Sequence, residues 1–141
     1  MTEKYQIVSI EKPEQAHWAA IGGGIGTFNT QQAGDENYQP LCFCFYDPDE
    51  EVAGGIIGAT FWDWFYLDLL WVKEELRGSG YGRQLVMLAE AEARQRGARH
   101  VFLDTFSFQA PDFYKQLGYQ VFGELPDFPA GHTRYYLTKA L

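Results

Sequence analysis

The sequence predicts a mixed β/α fold, with one sheet and its helices in a single domain over residues 1–141. Strand patterns and helix patterns alternate along the chain, and no repeat, low-complexity run or linker divides it. A length of 141 residues suits one domain with one core. Apolar residues make up 46% and charged residues 21%, as in ordinary globular proteins. Aromatic residues are enriched at 17%, which indicates a large core or a ring-lined pocket.

The N-terminal part is expected to form a strand, a helix and a loop. Alternation with β-branched residues predicts the strand at 5–10. A helix follows over 14–21 and should end at Gly22, because glycine tolerates the left-handed conformation that closes many helices. Polar and irregular composition at 26–39 predicts a loop on the substrate side of the domain.

The remaining chain contains six strand patterns and two helix patterns. Glycines inside the second of these strands, Gly54, Gly55 and Gly58, indicate the close approach of another group. The predicted strands cover 41–46, 52–62, 65–72, 100–104, 119–123 and 133–138, and the predicted helices cover 81–96 and 110–117.

The formal net charge is −8, which argues against nucleic acid or an anionic membrane surface as the main partner. Residues 1–72 hold two basic residues against eleven acidic ones, whereas residues 73–141 hold nine against eight. An acidic first half suits a cationic amine and the second half can accept a polyphosphate, although a solvated acidic surface explains the asymmetry equally well. A polar start without a long apolar run leads us to expect a cytoplasmic protein that does not span a membrane.

The two cysteines do not suggest a metal site. Cys42 and Cys44 lie two residues apart, so a strand would direct both side chains to one face. The pair lacks the further ligands of a zinc site, and the three histidines have no metal-binding spacing. We therefore expect buried free thiols and no metal.

Three alternating glycines follow the predicted strand 65–72 and lead directly into a helix. The segment from Arg77 to Gly82 has the sequence Arg-Gly-Ser-Gly-Tyr-Gly, and Arg83 follows it. Several backbone N–H groups converge here at the positive end of the helix dipole, and the arginines add charge-assisted contacts. The turn is therefore suited to phosphate oxygens, and a turn that merely joins strand to helix is the alternative.

Two common phosphate-binding loops do not fit this turn. A Walker A loop requires lysine and then serine or threonine after its last glycine, whereas Gly82 is followed by Arg83 and Gln84. A dinucleotide-binding turn has Gly-x-Gly-x-x-Gly after the first strand of its domain, whereas this Gly-x-Gly-x-Gly follows the fourth predicted strand. Nucleotide hydrolysis and hydride transfer are therefore not expected.

The segment 72–82 resembles the signature of the GNAT superfamily of acetyl-CoA-dependent N-acetyltransferases: arginine or glutamine, two variable residues, glycine, any residue, then glycine or alanine. Residues 113–119, Phe-Tyr-Lys-Gln-Leu-Gly-Tyr, resemble the later helix-to-strand motif of the family. The similarity extends over nearly the whole chain, and segments 69–72 and 103–111 resemble a bacterial branch of it. The resemblance implies a central, mixed, mostly antiparallel and splayed sheet of six to seven strands, flanked by about four helices.

The resemblance also implies that a bound amine attacks the thioester of acetyl-CoA directly, without a covalent enzyme intermediate. Tyr114 falls at the position of the general acid that protonates the leaving thiolate, unless it only packs under the sheet. Asp68, on the strand before the glycine turn, is the candidate base, or else it only binds the acceptor ammonium. A backbone N–H at about Leu70 should stabilise the oxyanion. Ser107 replaces an asparagine that contacts the pantetheine arm in many members.

Two larger groups of residues are expected around the reaction centre. The group expected to hold acetyl-CoA consists of Leu70, Trp71, Val72, Arg77, Gly78, Ser79, Gly80, Tyr81, Gly82, Arg83, Ser107 and Lys115. The group expected around the acceptor consists of Phe28, Asn29, Trp62, Trp64, Tyr66 and Asp104. A core position explains most of the rings in the second group equally well, and a strand-end cap is the better interpretation of Asp104.

The expected function is acetylation of the primary amine of a small, cationic acceptor. Two alternatives remain open. One is a non-catalytic acyl-CoA-binding sensor module, and the other is a protein or peptide N-acetyltransferase, which would need an open groove in place of an aromatic pocket. A homodimer is a further expectation, because dimers are common in such families.

Overall fold

The computed structural model describes residues 4–141, which divide into a unit that ends at Glu36 and a unit that spans Asn37–Leu141. The first unit contains helix α1 (Gln15–Ala33). The N-terminus of α1 is capped by His17, whose Nδ1 atom accepts the backbone N–H of Glu14 at 2.9 Å. This contact satisfies one of the N–H groups at the helix start.

Two predictions for the first unit are wrong. Residues 5–10 form no strand, because a strand needs a partner for its backbone groups and the described part of this unit contains no other strand. The helix does not end at Gly22, so most of the expected loop at 26–39 is helical. Glycine inside a helix costs about 1 kcal/mol relative to alanine but does not forbid the helix. The left-handed residue is Gly34 (φ +82°), whose N–H donates to the carbonyl of Thr30.

The second unit contains a six-stranded sheet with the strand order β1-β2-β3-β4-β6-β5. All neighbouring strands are antiparallel except β3 and β4, which are parallel, so the predicted mixed and mostly antiparallel sheet is confirmed. The elements in chain order are β1 (Gln39–Tyr46), β2 (Val52–Phe61), β3 (Trp64–Val72), a 3-10 turn (Glu74–Leu76), α2 (Tyr81–Gln95), β4 (His100–Phe106), α3 (Pro111–Gln116), β5 (Gln120–Pro126) and β6 (Thr133–Ala140).

The core of the second unit lies between α2 and the face of β1, β2 and β3 on which it packs. Buried side chains from these elements include Leu41, Ile56, Phe65 and Val86, and burial of a side chain of this size stabilises the fold by about 1.5–3 kcal/mol. A Cβ atom on Gly58 would collide with the carbonyl oxygen of Tyr66 and with the ring of Phe65. The close approach predicted from the glycines is therefore confirmed at this position, and the approaching group is β3.

A buried ion pair joins α2 to β6. Glu90 is only 4% exposed, and its Oε1 atom lies 3.0 Å from Nζ of Lys139. The hydroxyl of Tyr119, which follows α3, donates to Oε2 of the same carboxylate at 2.7 Å. Burial, and then the hydrogen bond to Glu90, raise the pKa of the Tyr119 phenol, so the hydroxyl remains a donor. These contacts link α2 to the segment that follows α3.

The prediction that the cysteines are buried is wrong. Cys42 and Cys44 are exposed, with their Sγ atoms 3.7 Å apart on one face of β1. Leu41 lies on the opposite, core-facing side of the strand, so the apolar run around the cysteines did not indicate which face is covered. Within residues 4–141, no three His, Cys, Asp or Glu side chains group as metal ligands, and no helix combines the length and apolar character needed to cross a bilayer.

Candidate active site

Strands β3 and β4 are neighbours in the sheet but pair over only three residues. Residues 64–66 of β3 pair with residues 100–102 of β4, although the strands continue to Val72 and Phe106. A strand in a parallel ladder offers backbone donors and acceptors to its neighbour, so the edge of β3 beyond Tyr66 lacks β4 as a partner. The two strands separate here, and the predicted splay of the sheet is confirmed.

A β-bulge at Asp68 lies where the separation begins. Ile57 of β2 is opposite Leu69, and Gly58 is opposite Leu67, so Asp68 is the extra residue on β3. Because of this extra residue, Leu67 and Leu70 both face the core, while Asp68 between them is exposed. The bulge explains how an acidic residue fits into an otherwise apolar strand.

A cleft of about 490 Å³ lies between β3 and the segment from the end of β4 to α3. It brings together the two predicted catalytic residues, Asp68 and Tyr114, and the expected acceptor residue Asp104. The lining residues are Asp68, Leu69, Leu70, Trp71, Val72, Arg77, Asp104, Thr105, Phe108, Gln109, Ala110, Phe113 and Tyr114.

The glycine-rich turn forms a second cleft, of about 450 Å³, at the start of α2. Gly78 and Gly80 have φ values of +80° and +90°, and a Cβ atom on either residue would have no heavy atom within 4 Å. The left-handed backbone conformation favours glycine at both positions. The open space beside them leaves the backbone N–H groups of the turn accessible to a ligand. The Nε atom of Arg77 donates to the carbonyl of Val72 at 2.9 Å, which ties the turn to the end of β3.

The two clefts adjoin each other, because they share Leu70, Val72, Arg77, Ala110 and Phe113. One end presents the N-terminus of α2 with its arginines, which suits a polyphosphate. The other end presents two carboxylates and a phenol. An elongated ligand with phosphates at one end and a reactive group at the other fits this arrangement.

Tyr114 reaches the cleft from α3, a short helix that begins with Pro111 at its first position. The side chain is only 8% exposed. Burial, and then the nearby charge of Asp104, raise the pKa of the Tyr114 phenol to about 12. The hydroxyl is therefore protonated at neutral pH and can act as a proton donor.

The carboxylate of Asp68 has a weak contact with a second phenol. The hydroxyl of Tyr66 lies 3.5 Å from Oδ1 of Asp68. Burial, and then the charges of Asp104 and Asp68, raise the pKa of the Tyr66 phenol. No ion pair within residues 4–141 involves Asp68, so its charge is available to a ligand.

Asp104 is not a strand-end cap, and that interpretation is wrong. It lies inside β4 and forms an ion pair with Arg134 of β6, whose Nε and Nη2 atoms lie 2.7 and 2.5 Å from Oδ2. Arg134 was not among the residues predicted for the site. Only the antiparallel register of β4 with β6, which places Arg134 near Asp104, reveals the pair.

Three of the expected acceptor residues lie towards the paired ends of β3 and β4. Trp64 stacks on His100 with the ring centroids 4.5 Å apart, and Tyr66 stacks on Phe102 at 4.8 Å. Trp62 is in the turn between β2 and β3, with φ +44°. Of these three, Tyr66 lies nearest the cleft, through its contact with Asp68.

The remaining expected site residues belong to several different segments of the chain. Phe28 and Asn29 lie on α1, in the first unit. The Oγ atom of Ser107 accepts the backbone N–H of Thr133 at 3.1 Å, and Lys115 is exposed on α3. The expected binding roles of these residues stay predictions.

The segment after β4 supplies lining residues that were not predicted individually from the sequence. Phe108, Gln109 and Ala110 border the cleft. The Oε1 atom of Gln109 accepts the backbone N–H of Phe106 at 2.8 Å and the hydroxyl of Thr105 at 3.1 Å, which fixes the turn. The only sequence signal for these residues was the family resemblance of 103–111.

Comparison with known proteins identifies the family. The model of the acetyltransferase (GNAT) family matches residues 6–119. The chain is 44% identical over 92 residues to a blasticidin-S acetyltransferase from Streptomyces morookaense, which covers 64% of this chain and 68% of that protein. The structure of this chain resembles the crystal structure of an acetyltransferase from Bacillus cereus, with a TM-score of 0.86 and 31% identity. The match covers 95% of this chain and 98% of that one. The chain belongs to the GNAT family of acyl-CoA-dependent N-acetyltransferases.

Acetyl-CoA is the cosubstrate of this family. An aminoglycoside 6′-N-acetyltransferase solved with coenzyme A shares the fold, with a TM-score of 0.64, 17% identity, and coverage of 96% of this chain and 97% of that one. The residues present fit such a cosubstrate. Gly78 and Gly80 leave open space at the start of α2, and Tyr114 lines the adjoining cleft.

We expect Gly80→Ala to raise the dissociation constant for CoA about tenfold, because a Cβ atom would enter the space of the pyrophosphate and disturb its hydrogen bonds. Isothermal titration calorimetry measures the change. Gly97→Ala is the matched control, since Gly97 has φ +92° and open space beside it but lies at the other end of α2. Equal loss of CoA affinity in the two variants would show that backbone strain, and not the turn, is responsible.

Proposed function

We propose that this protein transfers the acetyl group of acetyl-CoA to the primary amine of a small, cationic acceptor, by direct attack within a ternary complex. The observation that carries the proposal is the cleft that both Asp68 and Tyr114 line, with the cleft of the glycine-rich turn directly beside it. The turn holds the pyrophosphate, and the splayed edge of β3 near Leu70 offers a backbone N–H to the thioester oxygen.

Asp68 prepares the acceptor for attack. An alkyl ammonium has a pKa near ~10.4 in water and must lose a proton before its nitrogen can attack. The exposed carboxylate of Asp68 binds the ammonium and accepts that proton, directly or through a water molecule. Asp68 lies on the bulge and lines the same cleft as Tyr114.

Tyr114 assists departure of the thiol. When the nitrogen bonds to the carbonyl carbon and the carbon–sulfur bond breaks, the electron pair of that bond goes to sulfur. The hydroxyl of Tyr114 gives its proton to this sulfur. The attacking nitrogen releases its second proton to solvent to leave the neutral amide, and the phenolate recovers a proton from solvent. The raised pKa keeps the phenol in the donor form before each turnover.

The surroundings of the cleft support a cationic, ring-containing acceptor. The uncompensated carboxylate of Asp68 attracts positive charge, and the exposed ring of Phe108 borders the same space. Aromatic faces beside carboxylates favour organic cations. The relative named a blasticidin-S acetyltransferase adds support for a small molecule, and we propose an amine-bearing antibiotic or metabolite of similar size as the acceptor.

A thiol-release assay with acetyl-CoA and a panel of amines tests the proposal. We expect turnover with small cationic amines, including blasticidin S. Lysine-containing peptides at the same concentration as the amines should give little turnover. Binding of acetyl-CoA without thiol release for any amine would contradict the proposal and favour a sensor module. Turnover confined to peptides would indicate a protein acetyltransferase.

We expect Tyr114→Phe to lower kcat by about 10²-fold to 10⁴-fold while the affinity for CoA stays nearly unchanged. In the wild type, kcat should show no alkaline fall below pH 10, because the pKa of Tyr114 is raised to about 12.

The phenol in the unfolded chain ionises near pH 10, so the stability that Tyr114 contributes is complete below about pH 10 and is lost as the pH rises towards 12. Unchanged kcat in the variant, or an alkaline fall centred below pH 10 that the variant abolishes, would contradict these roles.

A further inference from the structure

Arg134 is held in place by contacts of two kinds. Its guanidinium group forms the ion pair with Oδ2 of Asp104 through both Nε and Nη2. The rings of Phe128, Phe106 and Tyr136 surround the group, with centroids 5.0, 5.3 and 5.5 Å from its central carbon. Two charge-assisted contacts and three cation–π contacts restrict the guanidinium far more than an exposed ion pair would. The charge of Asp104 is therefore compensated persistently.

The two carboxylates of the cleft consequently differ in the charge they offer to a ligand. Asp104 is compensated by Arg134, with side chains 16% and 26% exposed. Asp68 has no cationic partner within residues 4–141, and its contact is with the neutral phenol of Tyr66. The phenol of Tyr114 also faces this space and is neutral as well. Apart from Arg77 at the turn, the lining of the cleft therefore carries one uncompensated charge.

We propose that Arg134 determines the charge specificity of the acceptor end of the cleft: by compensating Asp104, it leaves Asp68 as the one carboxylate that an acceptor ammonium can neutralise. This inference rests on the proposed function, because it assumes that the acceptor is a cationic amine. Arg134 is a positioning and specificity residue, since it acts through Asp104 and does not line the cleft itself. An acceptor with a single positive charge near its reactive amine matches the native cleft, and a second nearby ammonium gains little.

Removing the guanidinium should change the preference between monocations and dications. In Arg134→Gln, Asp104 becomes a second uncompensated carboxylate in the cleft. The probes are 1-aminobutane and 1,4-diaminobutane, which share a carbon chain and differ by one ammonium group. The preference for the diamine is the dissociation constant of 1-aminobutane divided by that of 1,4-diaminobutane. We expect this ratio to rise about three- to tenfold over the wild type. NMR titration with CoA present measures both constants without requiring turnover.

A double variant separates charge from damage to the fold. Asp104→Asn combined with Arg134→Gln removes both charges, so the ratio should return close to that of the wild type. A general distortion of the site would weaken both probes alike and would not be reversed by the second substitution. The affinity for CoA, bound at the turn, and the melting temperature report whether each variant is folded.

Failure of the inference and failure of the proposed function give different results. An unchanged or lower ratio in Arg134→Gln overturns the inference, and so does a raised ratio that persists in the double variant. Binding of neither amine by the wild type also overturns it, because the cleft would then not recognise ammonium groups. Normal charge preferences without thiol release for any amine would contradict the proposed function while the inference stands.

Discussion

The early end of the parallel ladder between β3 and β4, after residues 66 and 102, is the constraint on which the site depends. If the ladder continued to Val72, the backbone edge of β3 would be paired and no space would remain between the strands. The bulge at Asp68 lies at the same point and directs one acidic residue away from the core. The ordinary hydrogen-bonded geometry of the rest of the sheet holds the two separated ends in place.

The separation also explains how the uneven charge of the chain is used. Asp68 belongs to the acidic first half of the sequence, whereas the glycine-rich turn and Tyr114 belong to the second half. The two adjoining clefts bring these parts together, with Asp68 and Tyr114 in one and the glycine-rich turn in the other. Arg134 modifies the acidic end, because it removes the effect of one of two carboxylates. The local arrangement of charges, more than the net charge of −8, therefore suits the cleft to both substrates.

Much of the second unit could be predicted because its signals are local. The helix Tyr81–Gln95 has a clear apolar period and the strands around it have alternating patterns, so their identity and approximate bounds followed from the sequence. The glycine-rich turn was equally clear, since glycines that alternate at a helix start are typical of phosphate-binding turns. Apart from the helix end expected at Gly22, the errors concern residues whose structure depends on partners outside their own segment. Residues 5–10 have a strand pattern but no strand to pair with in the described part of their unit, and the face of β1 that carries Cys42 depends on where α2 packs. Arg134 could not be assigned from the sequence, because its role depends on the register between β4 and β6, thirty residues apart in the chain.

A crystal structure of the protein with bound CoA tests most directly whether the separation of β3 from β4 creates the active site. We predict pantetheine between the two strands, the pyrophosphate at the N–H groups of residues 78–82, and the sulfur within hydrogen-bonding reach of the Tyr114 hydroxyl, at about 3–4 Å. Pantetheine outside the gap, or a sulfur distant from Tyr114, would contradict this assignment of the active site.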